Sequence, residues 1–157
     1  MEPLINSIYP DERLREWSKG KAYLRTSKKK GSKMGILNKL SSQVGDRTEE
    51  ANRKVAAQCL ANPALLDEVA SGLKSGDAAL VGDCAEVLTK VAEENAELVA
   101  PHAEALAALL SHRSTRARWE ATHALALVVR QSPKVIASYL PRLGEMIQTD
   151  SSTIARD

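Results

Sequence analysis

The chain has 157 residues, 43% of them hydrophobic but only 3% aromatic, with no phenylalanine and a formal net charge of +2. That length supports one modest core or a row of three or four small units, and an apolar fraction of Ala, Leu and Val favours closely packed helices over strands. Two cysteines without Cys-x-x-Cys spacing exclude a disulfide scaffold and point to a reducing compartment, apolar stretches such as 105–110 fall far short of the ~20 residues that span a bilayer, and residues 1–17 hold no basic-then-apolar leader. The expectation is a cytoplasmic protein without membrane insertion.

Residues 1–45 differ in charge from the rest. Eight basic residues and no acidic one stand between Trp17 and Val44, so that 1–45 carries a net +6 and 46–157 a net −4. Asp11 can cap a helical segment with Leu14, Trp17, Tyr23 and Leu24 on one side, although Gly20 weakens it. Ser32 can open a second segment with Met34, Leu37, Leu40 and Val44, which is expected to cap the array that follows. Between them, Lys28, Lys29, Lys30 and Lys33 read as a solvated loop or as contacts for nucleic acid or another anion, which would be steeply salt-dependent. Docking of this basic arm on the acidic remainder is a third option.

From residue 46 the sequence repeats. At an offset of 37 residues Leu88 meets Leu125, Val91 meets Val128, Leu98 meets Val135, Leu106 meets Leu143, and Leu109 and Leu110 meet Met146 and Ile147. Each unit reads as two helices. In 46–76, Val55, Ala56, Cys59 and Leu60 lie on the first, Asn62-Pro63 make the turn, and Leu65, Leu66, Val69 and Leu73 lie on the second. In 77–113 the first helix carries Val81, Cys84, Ala85, Leu88, Val91 and Ala92 at the three- and four-residue steps of one helical stripe, and the second carries Leu98, Val99, His102, Leu106, Leu109 and Leu110. In 114–150 Ala117, Ala121, Leu125 and Val128 face inward, Ser132 caps and Pro133 opens the second helix, and Val135, Ile136, Tyr139, Leu140, Leu143, Met146 and Ile147 pack it. Residues 151–157 begin a further copy. The array is therefore expected to continue, or to self-associate through its carboxy-terminal edge.

Helix pairs of ~37–40 residues joined at a Pro or Asn turn resemble the HEAT and armadillo-type repeats. The stretch Ser114-Thr-Arg-Ala-Arg-Trp-Glu-Ala-Thr-His-Ala-Leu125, with an Arg and an Ala-x-x-Ala-Leu after a small polar loop, is similar to the first helix of a HEAT unit. The resemblance covers 46–157. It implies an all-α fold, a right-handed α-solenoid of stacked antiparallel helix pairs preceded by a helical basic extension. It also implies a non-enzymatic scaffold or adaptor that binds another protein. A nucleic-acid-associated protein and a regulatory HEAT-repeat subunit of a modification enzyme are the alternatives.

No catalytic, metal or cofactor constellation is read from the residues. Nothing matches a Gly-rich phosphate loop or a nucleophile elbow, the three histidines have no second ligand at useful spacing, and Cys59 and Cys84 read as unpaired buried thiols. His102 reads as a packing residue and His112 as exposed. Trp119, Glu120 and His123 are expected to share one helix face as a polar cluster or a partner hot spot. Glu104, Ser138, Arg142 and Glu145 point outward from the second helices and are the candidate partner contacts, together with Trp119 and His123. Arg113, Arg116 and Arg118 form the one basic cluster of the array, either an anion or nucleic-acid contact or bridges to Asp77, Asp83 or Asp150 of a neighbouring unit.

Overall fold

The computed structural model describes residues 35–156, and every regular element among them is helical. A 3-10 turn (Ile36–Lys39) and α1 (Ser41–Val44) lead into α2 (Glu50–Ala61), α3 (Leu65–Gly72) and α4 (Ala78–Glu94). Then come α5 (Ala96–Val99), a 3-10 turn (Ala100–His102), α6 (Ala103–Ala108) and a further 3-10 turn (Leu109–Ser111). The series ends with α7 (Thr115–Leu127), α8 (Pro133–Thr149) and α9 (Thr153–Arg156). The expected helix over 11–24, Met34 and the lysines 28–33 lie outside the described residues.

Side chains set the helix boundaries. Asp77 Oδ1 accepts from Ala79 N at 2.9 Å to start α4, and Ser114 Oγ accepts from Ala117 N at 3.4 Å to start α7. Asn95 ends α4 and caps α5 at once, accepting from Glu97 N at 3.2 Å, so one residue makes the turn between paired helices. Helices α2, α4 and α7 lie side by side, α3 rests on α4, α6 touches α7 and α8, and α9 lies against α7 and α8.

Helix α4 occupies the centre. Its expected stripe is enclosed: Val81, Cys84, Ala85, Leu88 and Val91 are all 0% exposed. Because neighbours flank it on both sides, Val87 and the polar Asp83, Glu86 and Thr89 are buried as well, which an amphipathic pattern does not anticipate. Helix α3 approaches closely at Gly72, where a Cβ would sit 2.5 Å from Cys84 Sγ. The two thiols are free and buried, and burial pushes Cys59 up to about 11 and Cys84, beside the Asp83 charge, up to about 12.

Four expectations differ from the structure. The segment expected from Ser32 is not one helix: Leu40 is extended (ψ 154°), and Ile36 and Leu40 are buried while Val44 is exposed. The cap is held by side chains instead, Ser41 N donating to Asn52 Oδ1 at 2.9 Å and Ser42 N to Asp83 Oδ2 at 2.7 Å. The second helix of 77–113 is broken into α5, two 3-10 turns and α6, because Pro101 cannot donate the amide that would continue it. In α8, by contrast, Pro141 is accommodated inside a 17-residue helix. Ser132 holds the N-cap position without capping, its hydroxyl donating to Ala100 O of the preceding unit at 3.1 Å. Finally, Leu140 (58%) and Ile147 (63%) face outward on α8, and only Ile136 and Met146 of that helix are buried.

Replacement of the enclosed Leu88 by Ala is expected to cost about 2–5 kcal/mol, whereas Leu140→Ala should stay within about 0.5 kcal/mol. Urea midpoints of the two variants measure the contrast, and equal shifts would contradict the assignment of α4 as the central helix.

Candidate functional site

The buried polar groups gather on α4 and reach both flanking helices. Asn52 of α2 is 0% exposed and donates from Nδ2 to Asp83 Oδ1 at 3.0 Å and to Glu86 Oε2 at 2.8 Å. From the other side, Arg116 of α7 meets Asp83 Oδ1 at 2.9 Å and pairs with Glu86 through its second nitrogen. Gly82 admits this guanidinium, since a Cβ there would lie 3.2 Å from Arg116 Cδ and 3.3 Å from its nitrogen. Burial works against the Asp83 charge, but hydrogen bonds from Ser42 and Asn52 and the Arg116 charge outweigh it and hold the carboxyl below the usual range. Glu86 Oε1 has no hydrogen bond and instead faces Lys90 Nζ at 3.1 Å as an ion pair.

The arginine cluster is divided by this arrangement. Arg116 is engaged as described. Arg118 forks onto Asp150, with Nε and a terminal nitrogen each 2.7 Å from a carboxylate oxygen, and also donates to His112 O at 2.9 Å. Those bonds hold Asp150 at about 2. Arg113 is exposed and spends one N–H on Gly76 O at 3.0 Å. Of the three, Arg116 bridges to the preceding unit, Arg118 pairs within its own, and Arg113 is the most exposed. The candidate contacts Lys28, Lys29, Lys30 and Lys33 lie outside the described residues.

Trp119, Glu120 and His123 do not present one common exposed face. Adjacent helical positions stand about 100° apart, so Glu120 turns toward α4 and is 5% exposed, while Trp119 (39%) and His123 face outward with ring centroids 5.5 Å apart, edge to face. All three nevertheless line a cleft of about 210 Å³ between α4 and α7, with Glu49, Lys90 and Glu93 around it. A groove of about 320 Å³ shares Lys90 and Glu93 with it and continues over Ala56, Ala57 and Leu60 of α2. Burial lifts Glu120 to about 7; the Glu86 charge pushes it up and the Arg116 and Lys90 charges pull it down. Sequence reasoning missed the acid's burial, although Asp83 and Glu120 occupy matched positions of the 37-residue repeat.

The second-helix candidates form a separate set. Glu104, Ser138 and Glu145 are exposed and Arg142 is half-buried. Tyr139 Oη donates to Glu104 Oε1 at 3.2 Å, and Arg142 donates to Glu145 Oε2 at 2.7 Å and to Leu110 O at 3.1 Å, so α8 is tied to α6 and the turn after it. His102 is 14% exposed with Asp67 3.9 Å away, and His112 is half-buried with its Nδ1 accepting from Ser114 N at 3.1 Å. Among the described residues no three His, Cys, Asp or Glu side chains converge as metal ligands would, and no helix is long and apolar enough to cross a membrane. No family model, curated protein or solved structure matches this chain.

Removing the Arg116 guanidinium leaves two buried carboxylates facing each other. Arg116→Ala is expected to cost at least about 2 kcal/mol, at the low end for a buried pair because its side chain is 38% exposed, while Arg113→Ala should remain within about 0.5 kcal/mol. Chemical denaturation of both variants checks this, and a neutral Arg116→Ala would remove the polar seam from the account of stability.

Glu120 sets a pH dependence of defined sign. Between about pH 4.5 and 7 the folded chain keeps the Glu120 proton that the unfolded chain has released, so folding weakens as pH rises through that window, by up to about 3 kcal/mol. Asp46 and Asp150, both held at about 2, act oppositely and lower down, their contributions being lost as pH falls from 3.8 toward 2. Glu120→Gln should flatten the pH 4.5–7 slope in urea titrations and leave the acid limb unchanged. An unaltered slope in the variant would assign the pH response to another group.

Proposed function

We propose that residues 46–157 form a HEAT-like α-solenoid that acts as a non-enzymatic scaffold, holding a partner protein along the row of second helices. One observation carries the reading: on the first helices, residues matched at the 37-residue offset are equally enclosed, Leu88 with Leu125 and Val91 with Val128, although on the second helices Ile147 is exposed where Leu110 is buried, and side-chain bonds link each unit to the next. The links join α2 to α4, α4 to α7, and α6 to α8. A structure extended by like units exposes a ribbon wider than a single helix pair offers, and such ribbons suit a peptide or helix of another protein. Glu104, Ser138 and Glu145 supply its polar contacts, with Arg142 already braced against Glu145. The alternative of nucleic-acid association is weakened at the arginine turn, since Arg116 and Arg118 already face carboxylates. A cytoplasmic setting accords with two free thiols.

A photo-crosslinking residue placed in the full chain at Ser138 or Glu104 is expected to trap one recurrent partner in cells. The same probe at Lys54, exposed on α2, should trap none of it. Equal trapping at all three positions would refute the second-helix face. Retention on heparin beyond physiological salt, in a chain that traps no protein, would favour the nucleic-acid reading.

A further inference from the structure

We infer that the cleft between α4 and α7 receives an arginine side chain of a partner polypeptide, its guanidinium stacked on the Trp119 indole with its fork against Glu120. The cleft is the wrong size and chemistry for most other occupants. At about 210 Å³ it is smaller than sites that enclose a whole small molecule, which begin near ~300 Å³, and it suits one side chain. Metal ligation lacks a converging set of three donors among the described residues. An anion would meet Glu49, Glu93 and Glu120 together, and among the described residues the one Lys or Arg lining the cleft, Lys90, is taken by Glu86 at 3.1 Å.

The second observation is Glu120 itself. Glu120 is 5% exposed, it lines the cleft, and among the described residues no Lys or Arg nitrogen reaches within 4.0 Å of its carboxylate, the neighbouring cations Lys90 and Arg116 pairing with Glu86 and Asp83 instead. The hydroxyl beside it, Thr89 Oγ1, is engaged with two carbonyl oxygens, Ala85 O at 3.1 Å and Glu120 O at 3.2 Å. Once ionised, a buried carboxylate without a cation is costly, and the open side of the cleft is where a cation can reach it. Above that opening the indole of Trp119 is 39% exposed and steadied by the His123 ring at 5.5 Å. A planar guanidinium can stack on such a face while its fork meets the carboxylate, which a compact ammonium cannot do in both respects. The contiguous groove then offers an apolar floor of Ala56, Ala57 and Leu60, bordered by Arg53, Lys90, Glu93 and Glu94, for the residue next to the arginine. This inference concerns the first-helix side and stands apart from the second-helix ribbon, so either can fail alone.

The test uses the full chain labelled with 15N and a blocked tetrapeptide, Gly-Arg-Leu-Gly, added at pH 8 while the Trp119 indole resonance is followed. The resonance, assigned by its loss in Trp119→Phe, is expected to shift with saturation below about 10 mM. The same peptide with citrulline in place of arginine, neutral but of equal shape, should bind at least about tenfold more weakly. Glu120→Gln should weaken the arginine peptide about tenfold, and a urea midpoint no lower than that of the parent shows that loss of binding is not loss of fold. Ser138→Ala should bind the peptide unchanged, which separates this site from the second-helix face. No shift at 10 mM, equal binding of the citrulline peptide, or undiminished binding by Glu120→Gln overturns the inference.

Discussion

A single asparagine, two acids and one arginine tie α2 and α7 to the flanks of α4. Asn52 gives both protons of its amide to Asp83 and Glu86, receives the amide of Ser41 on its oxygen, and so links the segment before α2 to the central helix. Arg116 reaches the same two acids from α7. In a medium of low polarity such groups are favourable only together, since each lone charge or unpaired amide would bear the full expense of leaving water. The seam therefore acts in register: a slip of α2 or α7 by one turn would separate every partner at once, whereas Leu, Val and Ala side chains alone tolerate such slips. Apolar contacts give these helices their adhesion, and the seam selects one alignment among those that adhesion allows.

The apolar frame was legible in the residues. Every position of the stripe from Val81 to Val91 is enclosed, and so are Ala117, Ala121, Leu125 and Val128, because a 3.6-residue period places them on one side whatever the neighbours are. Periodicity was a poorer guide where helices touch on more than one side. Polar residues between the stripes are assigned to solvent by pattern, and Asp83, Glu86 and Asn52 are buried because α4 has company on both flanks. The clue lay in chemistry and not in period: an acid recurs at 83 and 120, mid-helix, with Lys90 two turns after the first and Arg116 one turn before the second. The broken second helix was also foreshadowed, since Pro101 and Pro141 fall three residues out of the 37-residue register, so the two copies meet their prolines at different points.

The site was legible in membership more than in geometry. Arg116 with Asp83 and Arg118 with Asp150 were among the pairings open from sequence, and spatial structure selects them over solvent-facing anion contacts. Trp119 and His123 pair at a spacing of four, as a helix requires. What sequence spacing could not supply is the depth of Glu120, which depends on how near α4 stands and on Gly82 letting Arg116 fold across. Depth also decides charge, since the same carboxyl on an open face would be ionised well below neutrality.

The two enclosed thiols give the molecule an internal clock. Cys59 and Cys84 sit at 0% exposure on α2 and α4, held at about 11 and about 12, so near neutrality the reactive thiolate is a fraction of ~1 in 10⁴ or less and no reagent can reach it. Their alkylation thus waits on separation of α2, α3 and α4, and its rate in an excess of reagent reads how often that part of the core opens. The same seclusion renders the two cysteines indifferent to passing oxidants while the chain is folded, and marks any copy found with a modified cysteine as one that has, at some time, come apart.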